Sequence, residues 1–100
     1  MKSMDNIQAL EILEQLKWKI SLVDGLLVET GGRFKENGFN NYICSCMKMV
    51  NNYYQNTKDK RELLELINAY INQYKDEISW KYYDYEMKFL NTIKSNIEHL

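Results

Sequence analysis

The clearest helical pattern in this 100-residue chain is FNNYICSCMKMVNNYYQN, residues 39–56. At about 100° per residue, its apolar side chains fall on one arc of about 160°. The opposite side is largely polar and carries a single charge; it comprises Asn41, Cys44, Ser45, Lys48, Asn51, Asn52 and Gln55. The pattern predicts an amphipathic helix over about 41–56, which Asn40 or Asn41 can cap.

A second apolar stripe precedes this helix. Its members recur at helical spacing: Ala9, Leu13, Leu16, Ile20, Val23 and Leu27. We predict one helix over about 5–30, because Asp5 with Gln8 resembles a capping box and a Gly-Gly pair after residue 30 is a natural end. Asp24-Gly25 is also the signal of a two-residue hairpin, so a turn there is the alternative. The stripe passes through Gly25 in phase, which favours the helix.

The connections are marked by glycine and by small polar residues. Residues 33–40 are predicted to form a loop, with a turn at Asn37-Gly38. Asp59 with Glu62 has the signature of a capping box just before a Leu-Leu pair, so the next helix is predicted to begin at about residue 59.

From there, apolar residues stay in helical phase for about thirty residues. One long helix of roughly 60 Å, kinked or straight, would satisfy the pattern. The alternative is a pair of helices, about 59–75 and 77–99, that meet near residues 74–76, where Asp76 can cap the second helix. We favour the pair, because four shorter helices pack into a compact bundle.

Composition agrees with an all-α class. The chain is 45% apolar and 27% charged, with no proline and a net charge of −1, which is not the composition of a disordered chain. We therefore expect a single domain over residues 1–100, built as a small antiparallel bundle of four helices. No apolar run reaches about 18 residues, so no membrane span is predicted. The first six residues lack the apolar segment of a secretory signal.

Residue usage suggests a source and a compartment. Eleven Lys, eleven Asn, nine Ile and eight Tyr accompany only two Arg, a bias typical of AT-rich genomes and hence of a low-GC bacterium or one of its phages. Two cysteines without a disulfide framework fit a reducing compartment, so we expect a cytoplasmic protein.

Chemistry-bearing residues are sparse. Cys44 and Cys46 lie about 200° apart on the predicted helix, so they cannot share one ion or pair with each other. With His99 as the single histidine, they do not supply the four ligands of a structural zinc site. No catalytic triad or phosphate-binding loop can be built either. We expect no enzyme activity, no metal and no cofactor.

The strongest functional signal is apolar surface beyond what one core needs. In the last helix, the expected core stripe is Ile78, Tyr82, Tyr85, Phe89 and Ile93, and a second stripe lies about 130° away at Trp80, Tyr83, Met87 and Leu90. Trp18, Leu22 and Leu26 lie opposite the core stripe of the first helix. Exposed stripes of this kind mark interaction sites, with Trp and Tyr as typical anchors. The alternative is that one helix is central and buries both of its faces.

These observations favour a non-enzymatic protein-interaction module of the immunity-protein, inhibitor or adaptor type. Its expected binding residues are Trp80, Tyr83, Met87 and Leu90, followed by Trp18 and Leu22. We expect the partner to be another protein, and the chain itself to form a homodimer or higher homo-oligomer. The size and helical content resemble those of bacteriocin immunity proteins and phage inhibitors of host proteins, although no residue motif is shared.

A nucleic-acid-binding regulator is the alternative function. It would use the basic cluster Lys58, Lys60 and Arg61 at a helix start. The net charge of −1 disfavours it, because phosphate contacts dominate the affinity of such proteins.

Overall fold

The chain folds into helices joined by short turns, and a computed structural model describes residues 6–100. The helices are α1 (Asn6–Ser21), α2 (Val23–Glu29), α3 (Phe34–Asn37), α4 (Phe39–Thr57), α5 (Arg61–Tyr74) and α6 (Tyr83–Glu98). No strand occurs within this range, and the all-α class predicted from the sequence is confirmed. The predicted cap at Asp5 lies outside the described residues.

The single helix predicted over 5–30 is divided at Leu22. Its N–H is shared between the carbonyl oxygens of Trp18, at 3.2 Å, and Lys19, at 3.3 Å, so the chain tightens there before α2 begins. Asp24 and Gly25 lie inside α2, and the hairpin alternative is therefore wrong. The helical expectation for these residues is confirmed, although as two helices.

The Gly-Gly pair ends α2 as predicted. Gly32 N–H donates to the carbonyl of Leu27 and Gly31 N–H to that of Val28, at 2.8 and 3.2 Å. These two bonds form a Schellman motif, which requires the positive φ of Gly31, and Gly32 has a positive φ as well. The loop predicted for residues 33–40 instead contains the short helix α3, because Phe34 N–H donates to the Thr30 hydroxyl at 2.8 Å.

The break predicted near residues 74–76 is confirmed, since α5 ends at Tyr74. Residues 75–82 form turns, so the last helix begins at Tyr83 and not at 77, and Asp76 does not cap it. Helix α5 begins at Arg61 and not at 59, and its N-cap residue is Lys60, which forms no side-chain cap. Asp59 accepts a hydrogen bond from Arg61 N–H at 2.9 Å, in place of the predicted capping box with Glu62.

Packing follows the order α1, α4, α6, α5. Helix α4 contacts both α1 and α6, and α6 contacts both α4 and α5. The first and last helices of this order, α1 and α5, are joined by a hydrogen bond, since the Tyr70 hydroxyl of α5 donates to the Lys17 carbonyl of α1 at 3.0 Å. The core draws on every helix except α3, whose Phe34 packs against it from the edge. Because α1 has only α4 as an extensive neighbour, it lies at the margin of the core.

Within residues 6–100, no helix combines the length and the apolar run needed to cross a bilayer.

Two glycines offer a matched test of the α2–α3 connection. Gly32 has φ of +89°, and a Cβ there would lie 3.0 Å from Tyr82 Cε1, whereas a Cβ on the helical Gly25 meets nothing within 4 Å. We expect Gly32→Ala to destabilise the fold by more than about 1 kcal/mol, from left-handed strain and the ring contact. Gly25→Ala should stabilise it by about 0.5–1 kcal/mol, since alanine favours helix. Urea unfolding measures both; equal effects of the two substitutions would contradict the assigned turn.

Candidate functional site

The outer side of α1 carries four large apolar side chains in contact with solvent. Their exposed fractions are 69% for Ile7, 60% for Leu10, 70% for Trp18 and 41% for Leu22. At about 100° per residue, these four positions fall within an arc of about 120°, so they form one surface, named here the α1 face.

Two shallow grooves divide the α1 face along its length. The first has a volume of about 420 Å³ and is lined by Ile7, Leu10, Glu11, Glu14 and Gln15. The second, of about 350 Å³, is lined by Gln15, Trp18, Lys19, Leu22 and by Met49 of α4. Gln15 lies between the two grooves and lines both.

The inner side of α1 is fixed to the rest of the chain, so the outer side is held in place. Leu16 and Ile20 are almost entirely buried. The Tyr42 hydroxyl of α4 donates to the carbonyl of Lys19. Burial raises the pKa of that hydroxyl to about 12, and it therefore stays protonated as a donor. A face supported by packing and by side-chain hydrogen bonds is preorganised for binding.

Charges on α1 are separated along the helix. Glu11 and Glu14 precede Gln15, and Lys17 and Lys19 follow it. The Lys17 ammonium is 3.3 Å from the Glu14 carboxylate, and both groups are largely exposed. Lys19 Nζ lies 4.4 Å from the centroid of the Tyr42 ring. One end of the face is therefore acidic and the other basic.

The structure separates the residues that the sequence analysis assigned to an interface. Leu90 has no exposed surface, while Trp80 and Met87 are half-buried against the core and Tyr83 is half-buried. Trp80 also precedes α6, in the turns of residues 75–82. Of this second stripe, Leu90 alone is fully internal, because α6 lies between α4 and α5. Trp18 and Leu22 lie together on the exposed α1 face.

Ile7 and Leu10 belong to the α1 face but were not among the residues expected to form a site. A signal for them exists in the sequence, since Ile7 lies about three helical turns before Trp18 and Leu10 lies about 80° from Trp18 around the helix. The pattern alone does not show that other helices cover only one side of α1, so it cannot show which of its apolar side chains stay exposed to solvent.

The basic cluster of the alternative function is partly engaged within the chain. Lys60 Nζ donates to the carbonyls of Glu98 and Leu100, at 3.1 and 3.4 Å, where the α6 dipole favours a cation. Arg61 lies 3.4 Å from the Asp59 carboxylate. Lys58 ends α4 in a left-handed conformation with φ of 56°. Two of the three cations therefore have partners at helix ends.

A buried acid cluster lies where α2, α5 and α6 meet, and sequence reasoning missed it. Glu86 of α6 is 1% exposed. It lies four residues after Tyr82 and seven before Ile93, so helical spacing places it within the predicted core stripe. The Tyr74 hydroxyl, at the end of α5, donates to Asp24 Oδ2 of α2. Among the described residues, Asp24 Oδ1 and Glu86 Oε1 are buried without a hydrogen-bond partner.

Burial dominates the electrostatics of this cluster. Burial raises the pKa of Glu86, and the hydrogen bond with Asp24 and the negative charge of Asp24 raise it further. Burial also raises the pKa of Tyr74, as do its hydrogen bond to Asp24 and the nearby carboxyl groups of Glu86 and Glu77. A protonated Glu86 can act as a donor, so a single proton relieves the repulsion between two adjacent carboxyl groups.

The thiols behave as the helical spacing predicted. Cys46 is buried and Cys44 exposed, and neither forms a disulfide. Burial raises the pKa of the Cys46 thiol to about 11, which keeps it un-ionised and poorly nucleophilic at neutral pH. Among residues 6–100, no three acidic, cysteine or histidine side chains are grouped so that they could hold a metal ion.

The acid cluster predicts an unusual dependence of stability on pH. Above the ordinary glutamic acid pKa of about 4.3, the folded chain holds a proton on Glu86 that the unfolded chain releases, so this group's contribution to stability decreases as pH rises toward its raised pKa. Glu86→Gln removes that titration. We expect the stability of the variant relative to wild type to increase between about pH 5 and about pH 8, by up to about 1.4 kcal/mol per pH unit.

Urea unfolding at both pH values measures the difference, and Glu65→Gln, at an exposed position of α5, is the control. A difference between Glu86→Gln and wild type that does not change with pH would show that Glu86 is ionised in the folded chain.

Comparison with known proteins gives no relative: the chain matches no protein-family model, no curated protein and no solved structure. The α1 face and the acid cluster are therefore interpreted from their own geometry.

Proposed function

We propose that this chain is a non-enzymatic protein-interaction module that binds a protein partner through the α1 face. The observation that carries the proposal is the exposure of Ile7, Leu10, Trp18 and Leu22 on one side of a helix whose other side is packed. An exposed apolar patch of this kind, rimmed by charge, is typical of interaction sites.

The surface has the composition of a binding site. Trp18 supplies a large aromatic anchor beside two grooves that can accept side chains of a partner. Glu11, Glu14 and Lys19 border these grooves and provide a polar rim around the apolar centre.

The acid cluster supports a structural role over a catalytic one. Glu86 is almost entirely buried, so a substrate could not reach its carboxyl group without opening the core. The proposal also includes the antiparallel arrangement of the four long helices α1, α4, α5 and α6, and a cytoplasmic location, which the two free thiols favour.

Nucleic-acid binding is less well supported. Lys60 and Arg61 have partners within the chain, which leaves too few free cations at this position for a phosphate-binding surface.

Substitutions on the α1 face and substitutions in the core should have different effects on the free energy of unfolding. We expect Trp18→Ser combined with Leu22→Ser to change the free energy of unfolding of the isolated chain by no more than about 1 kcal/mol, since both side chains are exposed. Leu90→Ala should lower it by about 2–5 kcal/mol, because it leaves a cavity in the core. Urea unfolding distinguishes the two classes; a large loss in the double variant would place Trp18 and Leu22 in the core.

Binding itself is tested by photocrosslinking. A photoreactive phenylalanine derivative replaces Trp18 in one sample and the exposed Asn51 of α4 in the control, both in expressing cells and with the purified chain. We expect a covalent protein adduct from position 18 alone, whose yield falls at least about fivefold when Leu10→Ser and Leu22→Ser are added. Equal yields from positions 18 and 51, or no effect of the two serines, would contradict the proposal. The mass of the adduct identifies the partner.

A further inference from the structure

We propose that the partner of the α1 face is the same face of a second copy of this chain, with the two α1 helices antiparallel and a two-fold axis near Gln15. This inference rests on the proposed function, because it names the occupant of that surface. It is carried by two observations: the distribution of charge along α1 and the position of the two grooves about Gln15.

Charge selects both the partner and its orientation. The two acidic side chains of α1 precede Gln15, and the two basic ones follow it. Glu11 and Lys19 each lie four residues from Gln15, so a two-fold axis at Gln15 brings Glu11 of one copy opposite Lys19 of the other. Antiparallel pairing therefore matches acidic halves with basic halves twice, whereas parallel pairing opposes like charges.

The two grooves lie on opposite sides of Gln15 along the helix, as the proposed two-fold axis requires. Gln15 lines both, the first groove extends toward Ile7 and the second toward Leu22. Rotation about an axis at Gln15 places the first groove of one copy over the second groove of the other. Trp18 of each copy then lies against the groove that Leu10 and Glu11 line in its partner. A self-complementary patch is the requirement for a two-fold dimer.

The two kinds of contact have different roles. Removal of Ile7, Trp18 and Leu22 from water in both copies supplies the free energy of association, which scales with the apolar area buried. The ion pairs are exposed and each adds little to stability, so they fix the register and orientation of the helices.

Single cysteines test the arrangement, in a Cys44→Ser background that removes the exposed native thiol. A residue on a two-fold axis faces its own copy, so Gln15→Cys should form a covalent dimer with a short bismaleimide. Ile7→Cys should not, because the two copies of residue 7 are 16 residues apart along the helices, about 24 Å at 1.5 Å per residue. Sedimentation equilibrium of the untreated chain should give the dimer mass.

Crosslinking at position 15 but not at position 7 supports the proposal. Crosslinking at position 7 as efficient as at position 15, or none at either, overturns it. In those cases, photocrosslinking from position 18 to a different protein would leave the proposed function intact, and absence of any adduct would overturn both.

Charge reversal is the second arm of the test. Glu11→Lys with Glu14→Lys, or Lys17→Glu with Lys19→Glu, makes the whole face one sign, and either pair should weaken dimerisation at least about tenfold at low salt. All four substitutions together restore complementarity and should return the Kd to within about threefold of wild type. Failure of the four-fold variant to recover, with its helical content unchanged, would contradict the antiparallel assignment.

Discussion

Helix α6 packs between α4 and α5, and this placement determines how the rest of the chain is arranged. Phe89, Leu90, Ile93 and Ile97 of α6 have no exposed surface. The Phe89 ring meets Phe39 of α4 edge-on, with centroids 5.5 Å apart. Helices α4 and α5 cover two sides of α6. Helix α4 therefore contacts α6 on one of its sides, and it contacts α1 on the other. The first helix is then left at the margin with one face covered and one face open.

The acid cluster is a second consequence of the same packing. Glu86 lies one helical turn before Leu90 on the buried side of α6, and so it is drawn inside with the apolar residues. There it meets Asp24 and Tyr74, which tie α2 and the end of α5 to α6. A buried carboxyl group stabilises such a junction only while it holds its proton, which makes the junction weaker in alkaline solution.

Much of the fold follows from the sequence, because the pattern of apolar residues reports local helical structure. The all-α class, a helix over about 41–56 and the break near residues 74–76 were predicted from periodicity and from turn residues. That helix begins earlier, at Phe39, and its N-cap residue is Gly38 and not the expected Asn40 or Asn41. The division at Leu22 and the start of α6 at Tyr83 were not, since both depend on how neighbouring helices meet. Ile78 continues the expected stripe of α6 but is 73% exposed, because residues 75–82 leave the helix.

The candidate site was harder to predict than the fold. Periodicity found two apolar stripes beyond the core and could not tell which one the tertiary packing would cover. The stripe of α6 proved internal at Leu90, and the stripe of α1 proved open at Trp18 and Leu22. The burial of Glu86 was not predicted, although it lies four residues after Tyr82 and seven before Ile93 of the predicted core stripe; the group that its carboxyl meets, Asp24, is distant in sequence.

The fold leaves the outer face of α1 uncovered, and the environment of Trp18 reports this exposure. Trp80→Phe makes Trp18 the only tryptophan, and the indole nitrogen it removes is buried without a partner, so the substitution should leave the fold intact. At concentrations where sedimentation gives the monomer mass, we expect acrylamide to quench Trp18 fluorescence nearly as fast as that of free indole. Shielding of Trp18 in the monomer would contradict it, because the chain itself would then cover the α1 face.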